Sequence, residues 1–401
     1  MASSPLGVGR TGTRGVALDH IRAARTISRV ELAARLGLTS PAITQVVRDL
    51  IASDLVVEVG QGPSTGGKPP TLLQLNPQAR YGVGVHLERH ACVIVVVDLA
   101  GRPLSRRTVP GAASMRPQQM LPIVASEVDS LLSASGVERD RVLGVGLVTY
   151  GPQDWPTGVL LTPQPTPEWL DYPVVEQLAE ILRLPVLLDN DANAAAIAEY
   201  WLGSVDPRST YGCVYMATGI GGGVVVAGKV YRGSSSNCVE IGHISLDVHG
   251  DPCSCGNRGC LESYAGPPAV IRRALASPRL ARRLHLGPGG IDVLADFARI
   301  TTAASTGDPA ARTLIEQSAH YLGHAAVTLA NLFDLDVIVL AGPGFGPAVA
   351  MYRDAIQADL DQRWFSRRAH PVRVVPSANG DDAAAIGGAV LVLQNELTWP
   401  T

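Results

Sequence analysis

Apolar residues recur at helical spacing near the start of the chain. Leu32, Ala33 and Leu36 fall on one face, and Ile43, Val46, Val47 and Leu50 fall on the face of a second segment, as a 3.6-residue period requires. Ser28 with Glu31 three residues later forms a capping box, so a helix begins near Arg29. Gly37 allows a sharp turn, and Ser40-Pro41 opens the next helix with Ser as cap and Pro at the first helical position. The period then becomes two, because Leu55 to Val59 and Thr71 to Leu75 alternate as strands around Gly60 to Pro70. With a helical stretch from Arg14 in front, residues 14–78 read as a winged helix-turn-helix.

Beyond residue 80 strand-like and helix-like segments alternate. Tyr81 to Leu99 reads as a hairpin, and Val142 to Val148, Val186 to Leu188, Val214 to Met216, Val337 to Leu340 and Val372 to Val375 are short apolar strands. Helical segments are expected around Met120 to Leu132, Tyr172 to Leu182, Ala192 to Leu202, Ala310 to Phe333 and Ala383 to Leu393. The alternation predicts an α/β body. Glycine-led openings at 82–84 and 219–223 hint at a duplicated lobe.

With 401 residues and 46% hydrophobic content, two or three well-cored domains are expected. Met1 to Thr13 lacks the features of a signal or an anchor and reads as a flexible tail. No apolar run approaches the roughly 18 residues of a membrane span. A cytoplasmic protein with no membrane partner is the expectation.

Charge divides unevenly. Residues 1–80 carry nine Arg or Lys against five Asp or Glu, a net of +4, while the remainder carries 24 against 31, a net of −7. The basic end is the candidate for double-stranded DNA. On the helix opening at Ser40 and Pro41, Ala42, Thr44, Gln45, Arg48 and Asp49 lie off the apolar face. Ser40, Thr44 and Gln45 suit base edges in the major groove, Arg48 suits phosphate, and Lys68 in the tip Gly66-Gly67-Lys68-Pro69 suits the minor groove. A small helical module that makes only protein contacts is the blander alternative.

His243 lies close before Cys253, Cys255 and Cys260. Three thiolates and an imidazole close a tetrahedral shell, which is a structural Zn(2+) site with no position open for catalysis. Two disulfides with an unrelated histidine are the alternative, but Cys-x-Cys spacing suits one ion better. Thr218 to Gly223 is either a phosphate-cradling bend or a tight turn. Asn190-Asp191, between a strand and a helix, is a general base for a hydroxyl or an ordinary N-cap. Glu240 and Glu262 flank the metal residues and either bond a polyol from loops held rigid by the ion or are ordinary solvated glutamates.

Together the winged helix, Asp-Asn-Asp-Ala-Asn-Ala at 189–194, Thr-Gly-Ile-Gly-Gly-Gly at 218–223, Glu-Ile-Gly-His at 240–243 and Cys-Ser-Cys-Gly-Asn-Arg-Gly-Cys-Leu-Glu at 253–262 resemble the ROK family of repressors, open reading frames and sugar kinases. The resemblance runs from about Arg14 to the C-terminus. It implies an actin-like, hexokinase-like pair of lobes, residues 79–191 with 381–401 forming the small one and 192–380 the large one with the zinc loop. Between them the family has a cleft for sugar and, in the kinases, ATP, and its winged-helix members are usually transcription factors. By motif, Asn190, Asp191, Glu240, His243 and Glu262 match sugar-binding positions, Asp191 being at the kinase general-base position. His243, Cys253, Cys255 and Cys260 match the zinc ligands.

Departures from the pattern matter. Gly151-Pro152 stands at the family's Pro-Gly sugar loop in altered surroundings, and Pro163 to Trp169 lacks the asparagine that often precedes the tryptophan. Val239 replaces the usual glycine before Glu240. His86-Leu87-Glu88-Arg89-His90 stands where the kinases resemble Asp-x-Gly-x-Thr. Glu88 would repel phosphate there by about 4 kcal/mol at 4 Å and an effective dielectric near 20. The resemblance therefore implies a non-catalytic regulator with Asp191 vestigial: a repressor, dimeric or tetrameric, holding a DNA operator and answering to a sugar or sugar-derived molecule. An active ATP-dependent sugar kinase and a regulator with a non-sugar ligand are the alternatives.

Overall fold

The computed structural model describes residues 12–63, 69–113, 115–163, 165–202, 205–206, 208–287 and 292–398. It opens with helix α1 (Thr13–Ala24), strand β1 (Ile27–Ser28), helices α2 (Arg29–Leu36) and α3 (Ser40–Ala52), and strands β2 (Val56–Gln61) and β3 (Thr71–Leu75). The capping box forms: Glu31 N donates to Ser28 Oγ over 3.2 Å, and Ser28 N donates to Glu31 Oε2 over 2.9 Å. Gly37 ends α2 in the left-handed conformation at φ 64°. Leu18, Ile21, Leu32, Ile43, Val47, Leu50 and Leu73 are all buried.

Two details differ from the sequence expectation. The cap of α3 is Thr39, whose extended backbone precedes the helix, and Ser40 already lies in the first turn with Pro41 beside it. The added strand β1 pairs with β3, Ile27 opposite Leu73, giving the order β1-β3-β2. Two residues are too few to show alternation. Lys68 and the tip glycines Gly66 and Gly67 lie outside the described residues, as does the expected tail except for Gly12 and Thr13. Thr13 is already the first residue of α1.

The chain forms two compact units: Met1–Asp189 with Trp201–Gly203 and Gly388–Thr401, and Asn190–Tyr200 with Ser204–Gly387. In the first, β4 (Tyr81–Leu87), β5 (Ala91–Asp98) and β6 (Pro103–Pro110) form an antiparallel meander. After helix α4 (Pro117–Ala134), β7 (Val142–Thr149) pairs parallel to β4. A small hairpin, β8 (Gln153–Asp154) with β9 (Val159–Leu160), and helix α5 (Val174–Leu182) lead to β10 (Val186–Asn190) and helix α6 (Asp191–Leu202). The sheet order is β10-β7-β4-β5-β6.

In the second unit β11 (Tyr211–Met216), β12 (Ile220–Val226) and β13 (Lys229–Val230) are again an antiparallel meander. Strand β14 (Val337–Ala341) is parallel to β11, and β15 (Arg373–Pro376) is parallel to β14. Its order, β13-β12-β11-β14-β15, is the first pattern repeated strand for strand. Even the closing step recurs, since β10 leads into α6 and β15 into the helix Ala383–Thr398.

Each sheet has its own core: Val83, Ile94, Val124, Leu147 and Trp169 in the first, and Val214, Phe297, Leu322, Ile338 and Tyr352 in the second. In the first, a Cβ on Gly146 would overlap the carbonyl of Gly388, so the C-terminal helix lies directly on β7. Among the described residues no helix is long and apolar enough to cross a membrane.

Candidate functional site

Strand β10 delivers Asn190 to the start of α6. Asn190 Oδ1 accepts from Ala192 N over 2.9 Å and from Asn193 N over 3.4 Å, and Asp191 Oδ1 accepts from Ala192 N over 2.8 Å. Both side chains thus satisfy amides that a helix start leaves unpaired, and the helix dipole favours the Asp191 carboxylate there. Asp191 is buried.

Facing this helix start is the turn joining β11 to β12. The sequence suggested a run of glycines in its bend, but Gly221, Gly222 and Gly223 lie within β12, opposite Tyr215, Val214 and Cys213. A Cβ on Gly221 would stand 3.0 Å from Ala192 Cβ, and one on Gly223 would stand 2.8 Å from Ala192 O. These two glycines admit the first turn of α6, which accounts for them without a phosphate. Glu262 Oε2 accepts from Ile220 N over 2.9 Å, and a Cβ on Gly221 would be 3.9 Å from Asp191 Oδ1. The start of β12 therefore lies beside both acids.

Glu240 is presented by an uncommon backbone. Val239 has φ 62°, Glu240 has φ −71° and ψ 66°, and Ile241 N donates to Val239 O over 2.7 Å. Glu240 is thus the centre of an inverse γ-turn. A left-handed valine is strained, which explains why glycine is the easier residue before Glu240. The Glu240 side chain reaches solvent, yet the protein around it desolvates the carboxyl and raises its pKa; Glu262 adds to the rise and His243 opposes it.

His243, Cys253, Cys255 and Cys260 offer four ligand atoms within 4.8 Å of one another. Cys253 Sγ is 3.7 Å from His243 Nδ1, and Cys255 Sγ is 3.7 Å from Cys260 Sγ. A tetrahedral shell with metal–sulfur bonds of about 2.3 Å has edges of about 3.8 Å, so the set could hold one metal ion. All three cysteines are free thiols, against the disulfide alternative. Backbone bonds from Cys253 N to Asn257 O at 2.8 Å and from Leu246 N to Gly259 O at 2.8 Å shape the loop. Cys260 immediately precedes the short helix α7 (Leu261–Ala265) that carries Glu262, and His243 ends the 3-10 turn that Glu240 precedes. The four candidate ligands thus adjoin the segments that present both glutamates.

In the first unit His86 and Glu88 are both buried, with Nε2 and Oε1 3.6 Å apart. Burial lowers His86 to about 4, leaving a neutral imidazole, and raises Glu88 to about 7. The repulsion expected of Glu88 is accordingly softened near neutral pH, and the bulk of two buried side chains remains as the departure from the kinase pattern. Trp169 is a core residue whose Nε1 donates to Met115 O over 3.0 Å.

On α3, Ser40, Pro41, Thr44, Gln45 and Arg48 are all exposed. Arg48 Nη1 donates to Gln45 Oε1 over 3.1 Å, and Gln45 Nε2 donates to Asp49 Oδ1 over 2.8 Å. The face is therefore a connected polar strip. Sequence reasoning passed over Glu199, which is fully buried on α6 and accepts from Asn379 Nδ2 over 2.7 Å and from Ser377 Oγ over 2.5 Å. A single glutamate in an alanine-rich helix carries no signal that its partners lie far along the chain.

Residues 82–395 match the model of the ROK family. The xylose repressor of Bacillus subtilis (strain 168) is 26% identical over 375 residues, covering 94% of this chain and 93% of that protein. A crystal structure of a ROK family transcriptional regulator, a homolog of the E. coli MLC protein, superposes with a TM-score of 0.73 at 24% identity over 96% of both chains. The ROK hexokinase from Thermus thermophilus superposes with a TM-score of 0.63 at 30% identity, over 79% of this chain and 99% of that one.

Proposed function

The chain belongs to the ROK family, and from that premise we propose that it is a DNA-binding transcriptional repressor gated by a sugar or sugar-derived effector, without kinase activity. The observation that carries the reading is the exposed polar strip of α3 behind the tight turn at Gly37, attached to a body with the family's mixed α/β fold. Residues 14–78 act as a winged helix-turn-helix, with Ser40, Pro41, Thr44 and Gln45 toward base edges and Arg48 and Lys68 toward the backbone and minor groove. The similarity to a xylose repressor over nearly the whole length supports this division.

Asn190, Asp191, Glu240, His243 and Glu262 hold the effector. Carboxylates and an amide held by rigid backbone are suited to the hydroxyls of a polyol. Zn(2+) occupies His243, Cys253, Cys255 and Cys260 and supplies rigidity, not chemistry, to the segments bearing Glu240 and Glu262. With Nδ1 turned to the thiols, His243 offers Nε2 to the ligand. The repressor works as a dimer or tetramer in the cytoplasm on two operator half-sites, and the effector acts by binding one arrangement of the modules better than the other.

The experiment is selection of genomic fragments by the purified protein, followed by release of the best fragment with a panel of sugars and sugar phosphates. Specific fragments released by one compound are expected; equal retention of specific and random DNA at moderate salt overturns the reading. The retained Asp191 favours one second reading, an ATP-dependent sugar kinase, for which Asp191-dependent ADP release with some sugar is required.

A further inference from the structure

A buried guanidinium needs an explanation, because removing it from water is unfavourable unless every donor is met. Arg22, on the last turn of α1, is such a group, at 8% exposure. Its Nε and Nη2 donate to Asp19 Oδ1 over 3.0 and 2.7 Å, and its Nη1 donates to the carbonyl of Trp201. The guanidinium also lies 4.4 Å from the centre of the Trp201 ring. Trp201 sits one residue before the end of α6, where carbonyls lack helical partners and the dipole favours a cation. Carboxylate, carbonyl and π face together accommodate one side chain.

The indole is gripped from another side as well. Gly101, at φ 83°, lies so close that a Cβ there would overlap the ring. Trp201 is itself 3% exposed. A planar, stacked, multiply bonded arginine fixes direction as well as distance, which a lysine or an apolar contact would not. Simple adhesion between α1 and the body could be achieved by leucines.

We propose that Arg22, through Trp201, is a positioning residue that sets the angle at which the N-terminal module is carried on the end of α6. This rests on the proposed reading of α3 as the DNA-contacting helix. Two such helices must meet half-sites whose centres are roughly 34–36 Å apart or a multiple of that. A loosened angle at the joint therefore relaxes the preferred spacing while the sequence read within each half-site stays the same. The other end of α6 begins with Asp191, so the helix that holds the module is also the helix that starts at the proposed effector site.

The test uses the full chain and two variants, Arg22→Lys and Trp201→Phe, each checked by thermal melting, with the other standing in if one fails to fold. Bio-orthogonal spin labels at the exposed Val30 and Leu104 report the module's orientation without DNA. A narrow distance distribution in the parent chain that broadens in the variants is expected, and an equal width overturns the proposal. In parallel, selection from a library with a randomised spacer should show loss of the single preferred spacing with the half-site sequence kept. Variants that select the parent spacing also overturn it. A parent chain with a narrow distribution that selects no half-site removes the repressor reading, and leaves the joint to be decided by the label widths.

Discussion

The carbonyl oxygen of Val239 stands 2.6 Å from where a Cβ on Gly222 would lie. One residue's strained backbone and the other's missing side chain are thus a matched pair: the left-handed turn at Val239 pushes its carbonyl against β12, and only glycine accepts it there. Gly222→Ala should destabilise the chain by about 1–3 kcal/mol through this overlap, measured by urea unfolding. No change in the midpoint would mean that the segment before Glu240 moves aside freely.

The opposite substitution should help. Relieving a β-branched left-handed residue returns roughly 1–2 kcal/mol, while the added chain entropy of glycine costs roughly 0.5–1 kcal/mol. Val239→Gly is therefore expected to be stabilising by up to about 1.5 kcal/mol, read in the same unfolding assay. Destabilisation would show that the valine's contacts outweigh its strain.

Glu88→Gln should raise stability in a pH-dependent way. The folded pKa of Glu88 is raised to about 7 from 4.5, so ionising it costs stability as pH rises through that window. His86 is lowered to about 4 from 6.5 and costs stability as pH falls from 6.5. The substitution removes only the first effect: it should be nearly neutral at pH 4 and stabilising at pH 8 by up to about 3 kcal/mol. Equal gains at the two pH values, in denaturation curves run side by side, would contradict burial as the cause.

Much of this could be read in the order of residues. Ser28 and Glu31 announce a helix start because the capping box is local, and Val83 to Val97 announces strands because both faces of the central hairpin are covered. Strand β6 was missed: Pro103–Pro110 is mostly polar and exposed, as an edge strand can be. The grouping of His243, Cys253, Cys255 and Cys260 was legible because all four fall within 18 positions, 243 to 260. The burial of Arg22 and Glu199 was not, because Trp201 lies 179 residues from Arg22, the partners of Glu199 lie 178 to 180 residues away, and no local pattern marks a buried charge.

For the proposed zinc, Cys255→Ser should abolish stoichiometric metal binding and lower the melting temperature by several degrees, with effector response weakened and DNA binding retained. Elemental analysis with parallel gel shifts checks this. Loss of DNA binding equal to loss of effector response would tie the loop to the N-terminal module instead.

On α3 two neighbours should behave differently. Gln45→Ala is expected to cost about 1–3 kcal/mol on the best operator and to relax preference at one base pair. Arg48→Ala should weaken all sequences alike and reduce the salt slope by about 1. Binding curves at several salt concentrations separate the two, and identical behaviour would mean that the strip sits on the groove differently.

From Gly388 on, the C-terminal helix that covers Gly146 of β7 belongs to the first unit, although it is made after every strand of the second. During synthesis the second sheet can therefore be completed while the first still has a bare apolar face awaiting its last helix. The nascent N-terminal half must stay soluble through that interval, and a stop codon just before Ala383 would injure the half of the protein made first.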